Sequence, residues 1–528
     1  MVLKDIRCCG GLFYHTWTGK PKLPLAGRSR PFNSKCTNVH PGSTQVAPSL
    51  QTRYNPFVRQ RPVTRLFLLA LALRLTVVLA TADLPIGLDD MFQYDMLARS
   101  ILSGNGYRWY AQEDLDLIQR YIEMDVPPEY DPRGIPTSFR PPLYPAFLAL
   151  VYAAAGTGPR RFLAARLAQA VLGAALIPLT ALLARRLKFT ERAARWGAAA
   201  VAVYPLLVLY PLALATENLY IPLLTLALWA VLRAGDRNRG RDFALAGLLL
   251  GFTALTRSVA TLFVPLIGLW AWADARPRRT GLRHVALLAL CFLLVTLPWS
   301  VRNTLLHGEF HFIESALGYD LYQGYHPQST GTFSADIALD LVPILDDGER
   351  HRRGMEAFWS FVLADPARVP YLMVRKFGHF WGLDRRAFQY FYSNNFFGHW
   401  PPGLVVGALV LLCGPLILMA PAGLAGLTLT RPRRETSLVA LLLIYYTGIH
   451  MLILAEPRFH VPLIPLLAVL TAHALDDRPW RRAARRQKAL AALLVLPLLV
   501  NWVWELARDW DLLTALVGPE GHRLWLGY

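Results

Sequence analysis

Two adjacent carboxylates, Asp89 and Asp90, stand just before a run in which Met91, Tyr94, Leu97, Ala98 and Ile101 recur at helical spacing. An Asp at that place can cap a helix by accepting from a free backbone N–H. It can equally serve as a general base that takes the proton of an acceptor hydroxyl. Four other polar motifs interrupt otherwise apolar sequence: Arg140 before Pro141-Pro142, Thr216-Glu217, Thr256-Arg257 and Glu456-Pro457-Arg458. A guanidinium suits phosphate, because it offers forked donors and a fixed charge, but it also serves as an interfacial anchor. Glu217, Arg257, Arg302 and Arg458 can each bind phosphate or sugar hydroxyls, or pair with one another to hold loops.

These motifs need a scaffold, and composition indicates which. The 528 residues are 54% hydrophobic and 17% charged, and the apolar residues fall in blocks long enough to span a bilayer. The net charge of +19 is not a nucleic-acid signature, since its basic residues sit in short clusters between apolar blocks. Residues 1–65 hold 11 Lys/Arg against one acid, Asp5, and read as a disordered cytoplasmic tail or an over-extended reading frame. Cys8, Cys9 and Cys36 lie in that tail, and Cys291 and Cys413 in apolar blocks, so no structural disulfide is expected.

Placing every basic cluster in the cytoplasm requires an even number of spans between neighbours. Three apolar blocks lie between the tail and Arg185, so one must fail to cross. Residues 142–155 are short and open on Pro141-Pro142, which makes them a re-entrant or interfacial helix. The expectation is an all-α polytopic membrane protein with about 11 transmembrane helices. Residues 1–64 form the tail and 65–476 the membrane domain. Residues 477–528 supply a basic loop, a last span and a short outer C-terminus. Two long loops carrying amphipathic helices, 83–140 and 302–400, face outward. Residues 83–139 hold 11 acids against four Arg, which suits that side. All five polar motifs then lie at outer ends of spans, as one outward-facing site requires. Arg74, in mid-span, needs a partner that the sequence does not name.

The motifs also carry a resemblance. Asp90, Tyr94, Ala98-Arg99 and Gly104-Asn105-Gly106-Tyr107 resemble the first outer loop of C-type-fold glycosyltransferases. The protein O-mannosyltransferase and aminoarabinose lipid A transferase superfamily is the nearest in pattern. Further similar motifs follow in order: Arg140-Pro141-Pro142-Leu143, Thr216-Glu217, Leu255-Thr256-Arg257, and Pro298 through Asn303. Gly318-Tyr319-Asp320-Leu321-Tyr322-Gln323-Gly324 and Arg458 through Pro465 complete the set. The resemblance runs from about residue 65 to 475.

It implies that the loop-one Asp with a Tyr four residues later, Asp90 rather than Asp89, is the catalytic base. It also implies that Arg140 meets a lipid phosphate. The expected function is inverting transfer of a sugar from a polyprenyl-phosphate donor to a hydroxyl on a lipid, glycan or protein, at the outer face of a bacterial inner membrane. The aminoarabinose enzymes place a glutamate metal ligand just before the basic residue. Phe139 stands there in this chain, so a divalent metal is left open. His311, His379 and His460 show no ligand spacing. A polysaccharide polymerase or ligase using a lipid diphosphate shares the same face. A secondary transporter would show internal repeats and midplane charges; no repeat is seen, and apart from Arg74 the charges cluster at outer ends. A scaffold gives no reason for Arg and Glu at the ends of apolar spans.

Overall fold

The computed structural model describes residues 56–524 except 274 and 397. Residues 1–55 of the expected tail, with its three cysteines, therefore lie outside the described residues, as does the extreme C-terminus; residues 56–64, expected to be disordered, instead form the start of the helix Pro56–Ala80. Within them Cys291 and Cys413 are free thiols. The chain is an α-helical, multi-pass membrane protein. Eight helices among the described residues are long and apolar enough to cross a bilayer. A bent pair, Glu191–Val203 and Pro205–Leu212, brings the number to nine if it is one span.

The sequence offers two further spans, 242–256 and 258–275, but the helices found there fall below spanning length. These are Gly240–Ala254 and Phe263–Ala273, of 15 and 11 residues. The chain breaks between them at Leu255-Thr256-Arg257 and a single 3₁₀ turn, Ser258–Ala260. A guanidinium at the break resists continuation into lipid. Because the two sit side by side in sequence, the parity that orients the remaining spans is the same whether both cross or neither does.

The segment after Pro141-Pro142 is a 13-residue helix, Leu143–Ala155, below spanning length. The helix Arg278–His307 runs past Arg302 and ends on Gly308 in the left-handed region, so loop two starts about six residues later than the sequence suggests.

Loop one is built around the helix Asp90–Leu102. An amphipathic helix with one apolar face is expected there, but this helix is buried on two sides. Met91, Tyr94 and Ala98 pack on Tyr144, Leu148 and Tyr152 of the Leu143–Ala155 helix. Phe92, Met96 and Leu97 enter a second cluster with Trp109, Leu115 and Phe139. Two short strands, Arg108–Trp109 and Ile135–Pro136, pair antiparallel and close the loop.

Arg74 finds its partners in backbone. Its guanidinium, fully buried, lies 3.2 Å from the Ala202 carbonyl and 3.5 Å from that of Val201, and donates within its own helix to Ala70 at 3.0 Å. Pro205 has no N–H, so the Val201 carbonyl four residues earlier has no helical donor. The break in the bent pair thus frees the acceptors that satisfy the mid-span charge.

Candidate active site

Asp89 and Asp90 divide the two roles open to them. Asp89 is the N-cap of the Asp90–Leu102 helix and accepts from the Met91 N–H at 2.6 Å. Asp90 turns instead toward two arginines. One carboxylate oxygen takes Arg140 Nη2, and the other lies 3.0 Å from Arg458 Nη1. Burial alone would raise its pKa. The two guanidiniums outweigh burial and hold the carboxyl below its ordinary range, so it is ionised at neutral pH.

Arg140 is held from several directions. Its Nε donates to Gln93 at 2.8 Å, and its guanidinium lies over the rings of Tyr94 and Phe139, 5.6 and 5.1 Å from their centroids. Gly104 and Gly106 both have positive φ, 75° and 81°, which only glycine adopts without strain. The turn they make delivers Tyr107, whose hydroxyl donates to the Arg140 carbonyl at 2.8 Å. Leu143 N–H donates to the Leu255 carbonyl at 3.0 Å, tying the Arg140 arm to Thr256-Arg257. The conformation of each motif thus depends on another far away in the chain.

Glu217, at the start of its span, is ion-paired to Arg257, and Arg458 pairs with Glu456 at 2.5 Å as well as with Asp90. All five polar motifs line one cavity of about 700 Å³, within the size range of small-molecule sites. Its polar end holds Asp90, Arg140, Arg257 and Arg458. Apolar side chains, among them Val259, Leu262, Ile449 and Ile453, form another part of the wall. Such a cavity can hold an anionic head group with an apolar tail, and presents a carboxylate where a hydroxyl can approach.

Arg302 stands apart. It does not line the cavity, and donates to the loop-one carbonyls of Thr137 at 2.5 Å and Tyr107 at 3.3 Å. Its place is that of a brace between loops. Phe139 is buried against Trp109 and Tyr319 at 5.3 and 5.6 Å, so this position offers no ligand to a metal. No group of three or more His, Cys, Asp or Glu among the described residues is placed to hold a metal ion. His379 and His460 lie away from the cavity and His311 on its wall.

Three cavity carboxylates were not singled out from sequence, Glu314, Asp320 and Asp336. Glu314 accepts from the Ser258 hydroxyl. Asp320 sits inside the Gly318–Gly324 motif, in the first turn of the helix Leu317–Tyr325, and that motif is the only signal in sequence that could have found it.

The comparisons fit this architecture. Residues 139–301 match the model of the dolichyl-phosphate-mannose-protein mannosyltransferase family. The oligosaccharyltransferase of Archaeoglobus fulgidus in its apo form is similar in structure, with a TM-score of 0.50 and 15% identity over 90% of this chain and 57% of that one. ArnT from Cupriavidus metallidurans, bound to undecaprenyl phosphate, matches with a TM-score of 0.43 and 15% identity, over 87% of this chain and 74% of that one. This chain spans a little over half the length of the archaeal enzyme. No curated protein matches it in sequence. The fold is that of the C-type-fold glycosyltransferase superfamily. Within it, the mannosyltransferase match covers the Arg140 arm, Glu217 and Arg257.

Proposed function

We propose that the protein is a membrane glycosyltransferase that moves a sugar from a polyprenyl-phosphate donor to a hydroxyl acceptor at the non-cytoplasmic face of a bacterial inner membrane. The observation that carries this reading is the meeting of Asp90 with Arg140 and Arg458 in a cavity with one polar and one apolar part. The donor phosphate sits at the arginines, with its chain along the apolar wall. Asp90 accepts the proton of the acceptor hydroxyl as its oxygen attacks the anomeric carbon. The bond from that carbon to the phosphate oxygen breaks, its electron pair stays on the phosphate, and Arg140 neutralises the added charge. One displacement inverts the anomeric configuration. Arg257, Glu217 and Arg458 line the same space and contact phosphate or sugar hydroxyls, while Arg302 holds the loops. Asp89 acts by fixing the helix that presents Asp90. The acceptor is a lipid, a glycan or a protein.

Mass spectrometry of envelope lipids and glycans from a deletion strain tests this. One sugar modification should disappear while a polyprenyl-phosphate sugar accumulates, and unchanged profiles of both would refute the proposal. Orientation is tested separately. A reporter active only outside the cytoplasm should be active when fused after Gln112, Gln328 or Tyr528, and silent after Arg237, Arg279 or Arg433. Activity after Arg237 would place the site on the other face.

A further inference from the structure

The base reading leaves a proton to be disposed of. Once Asp90 has taken it, the neutral acid no longer balances Arg140 and Arg458, so that state is disfavoured where it forms. Most other carboxylates on the cavity wall are already engaged. Asp89 caps its helix, Glu217 is paired with Arg257, Glu456 with Arg458, and Glu314 with Ser258. Asp336 also has partners. Asp320 alone among the cavity acids has neither a side-chain hydrogen bond nor an ion pair with the described residues.

Its position relative to the arginines is fixed by the seam between the loops. Asp347, buried, accepts from the Ser138 N–H at 2.9 Å and from the Ser315 hydroxyl at 2.5 Å. Ser315 N–H donates to the Ser138 carbonyl at 3.1 Å. Ser138 lies two residues before Arg140, and Ser315 two before the Leu317–Tyr325 helix. Tyr319 then packs edge-on against Phe139 at 5.6 Å. At Gly318 a Cβ would lie 2.2 Å from the His351 carbonyl, so the helix is pressed onto Asp347–Ala364. Asp320 is therefore carried on the same rigid assembly as Arg140.

We propose that Asp320 is the second carboxylate of the transfer reaction, receiving from Asp90 the proton that leaves the acceptor and so restoring the ion pairs of Asp90 with Arg140 and Arg458. This rests on the glycosyltransferase reading above. In the balanced sequence, the acceptor O–H bond breaks and its proton goes to Asp90. The proton then passes to Asp320, directly or through one water, and leaves for solvent when Asp320 ionises. The charges acting on Asp320 are those of Glu314, Arg140, Arg458 and Asp90. Nearby, Arg350 donates to the Leu341 and Ile344 carbonyls, His351 lies 3.0 Å from the Ser315 carbonyl, and Lys376 sits over the Tyr325 ring. Burial, with Glu314 adding to it, pushes the Asp320 carboxyl up to about 7 against the pull of the two arginines. Transfer from an acid held below the carboxylate range to one near 7 runs downhill.

The experiment is the pH dependence of turnover by the full chain in nanodiscs, using polyprenyl-phosphate sugar and acceptor extracted from source membranes. A protonated Asp320 cannot accept, so parent turnover should fall as pH drops through about 7. Asp320→Asn should lose that acid limb and fall about a hundredfold at pH 8, while Asp320→Glu keeps a limb. Glu314→Gln leaves Asp320 in place and removes a like charge, so it should move the limb to lower pH. A limb unmoved in both Asp320→Asn and Glu314→Gln would overturn the assignment, including where Asp320→Asn changes only the melting temperature. Failure of the base reading gives a different signature, near-parent turnover in Asp90→Asn.

Discussion

Replacing Asp90 by Asn is expected to lower turnover by about two to four orders of magnitude without loss of expression. The amide keeps the shape of the side chain, and the helix keeps its cap because Asp89 supplies it. What is lost is the group that accepts a proton. The carboxylate is ionised well below neutral pH because Arg140 and Arg458 flank it, so the parent enters each cycle with its base ready. Single-turnover sugar transfer, quenched and followed by release of polyprenyl phosphate, reads this directly. Asp89→Asn should be far milder, since Asn caps helices as well as Asp. Near-parent transfer by Asp90→Asn would remove Asp90 from the mechanism.

The second large effect is on donor affinity. Arg140→Ala should weaken binding of polyprenyl phosphate about ten- to a hundredfold, since a charge-assisted phosphate contact contributes about 1.5–3 kcal/mol. Arg140 Nε and Nη2 are engaged by Gln93 and Asp90, and Nη1 has no partner among the described residues, so a phosphate can add to the arrangement without dismantling it. Arg140→Lys should recover part of the loss, because a point charge replaces the fork. Titration of donor lipid into nanodiscs measures it, and an unchanged affinity in Arg140→Ala would assign Arg140 to the scaffold.

How far the sequence discloses such a site depends on the kind of interaction. Asp90, Arg140, Glu217, Arg257 and Arg458 are visible because charge is costly beside apolar spans, so each interrupts its surroundings. Charge parity predicts that they share one side of the membrane, and the structure puts them around one cavity. Arg302 interrupts the sequence in the same way, yet it braces the loop-one carbonyls, and nothing in residue type distinguishes a brace from a ligand. The partners of Arg74 are backbone carbonyls freed by a proline 131 positions away, a contact without a side-chain signature. Asp320 and Glu314 lie in loop two, where acids are ordinary, and their importance arises from what folds around them. The short helices Gly240–Ala254 and Phe263–Ala273 have apolar content enough for spans. Their length is set by where Thr256-Arg257 must turn into the cavity.

The central claim is that Asp90 and Arg140 form a working pair, one acting on the acceptor and the other on the donor phosphate, rather than a salt bridge that merely joins loops. Equilibrium binding of polyprenyl phosphate to parent, Asp90→Asn and Arg140→Ala in nanodiscs tests it most directly. Removing the Asp90 charge frees two guanidiniums, so Asp90→Asn should bind as tightly as the parent or tighter, while Arg140→Ala binds about ten- to a hundredfold more weakly. Equal weakening in both variants would mean that the pair holds the fold together, and would contradict the account.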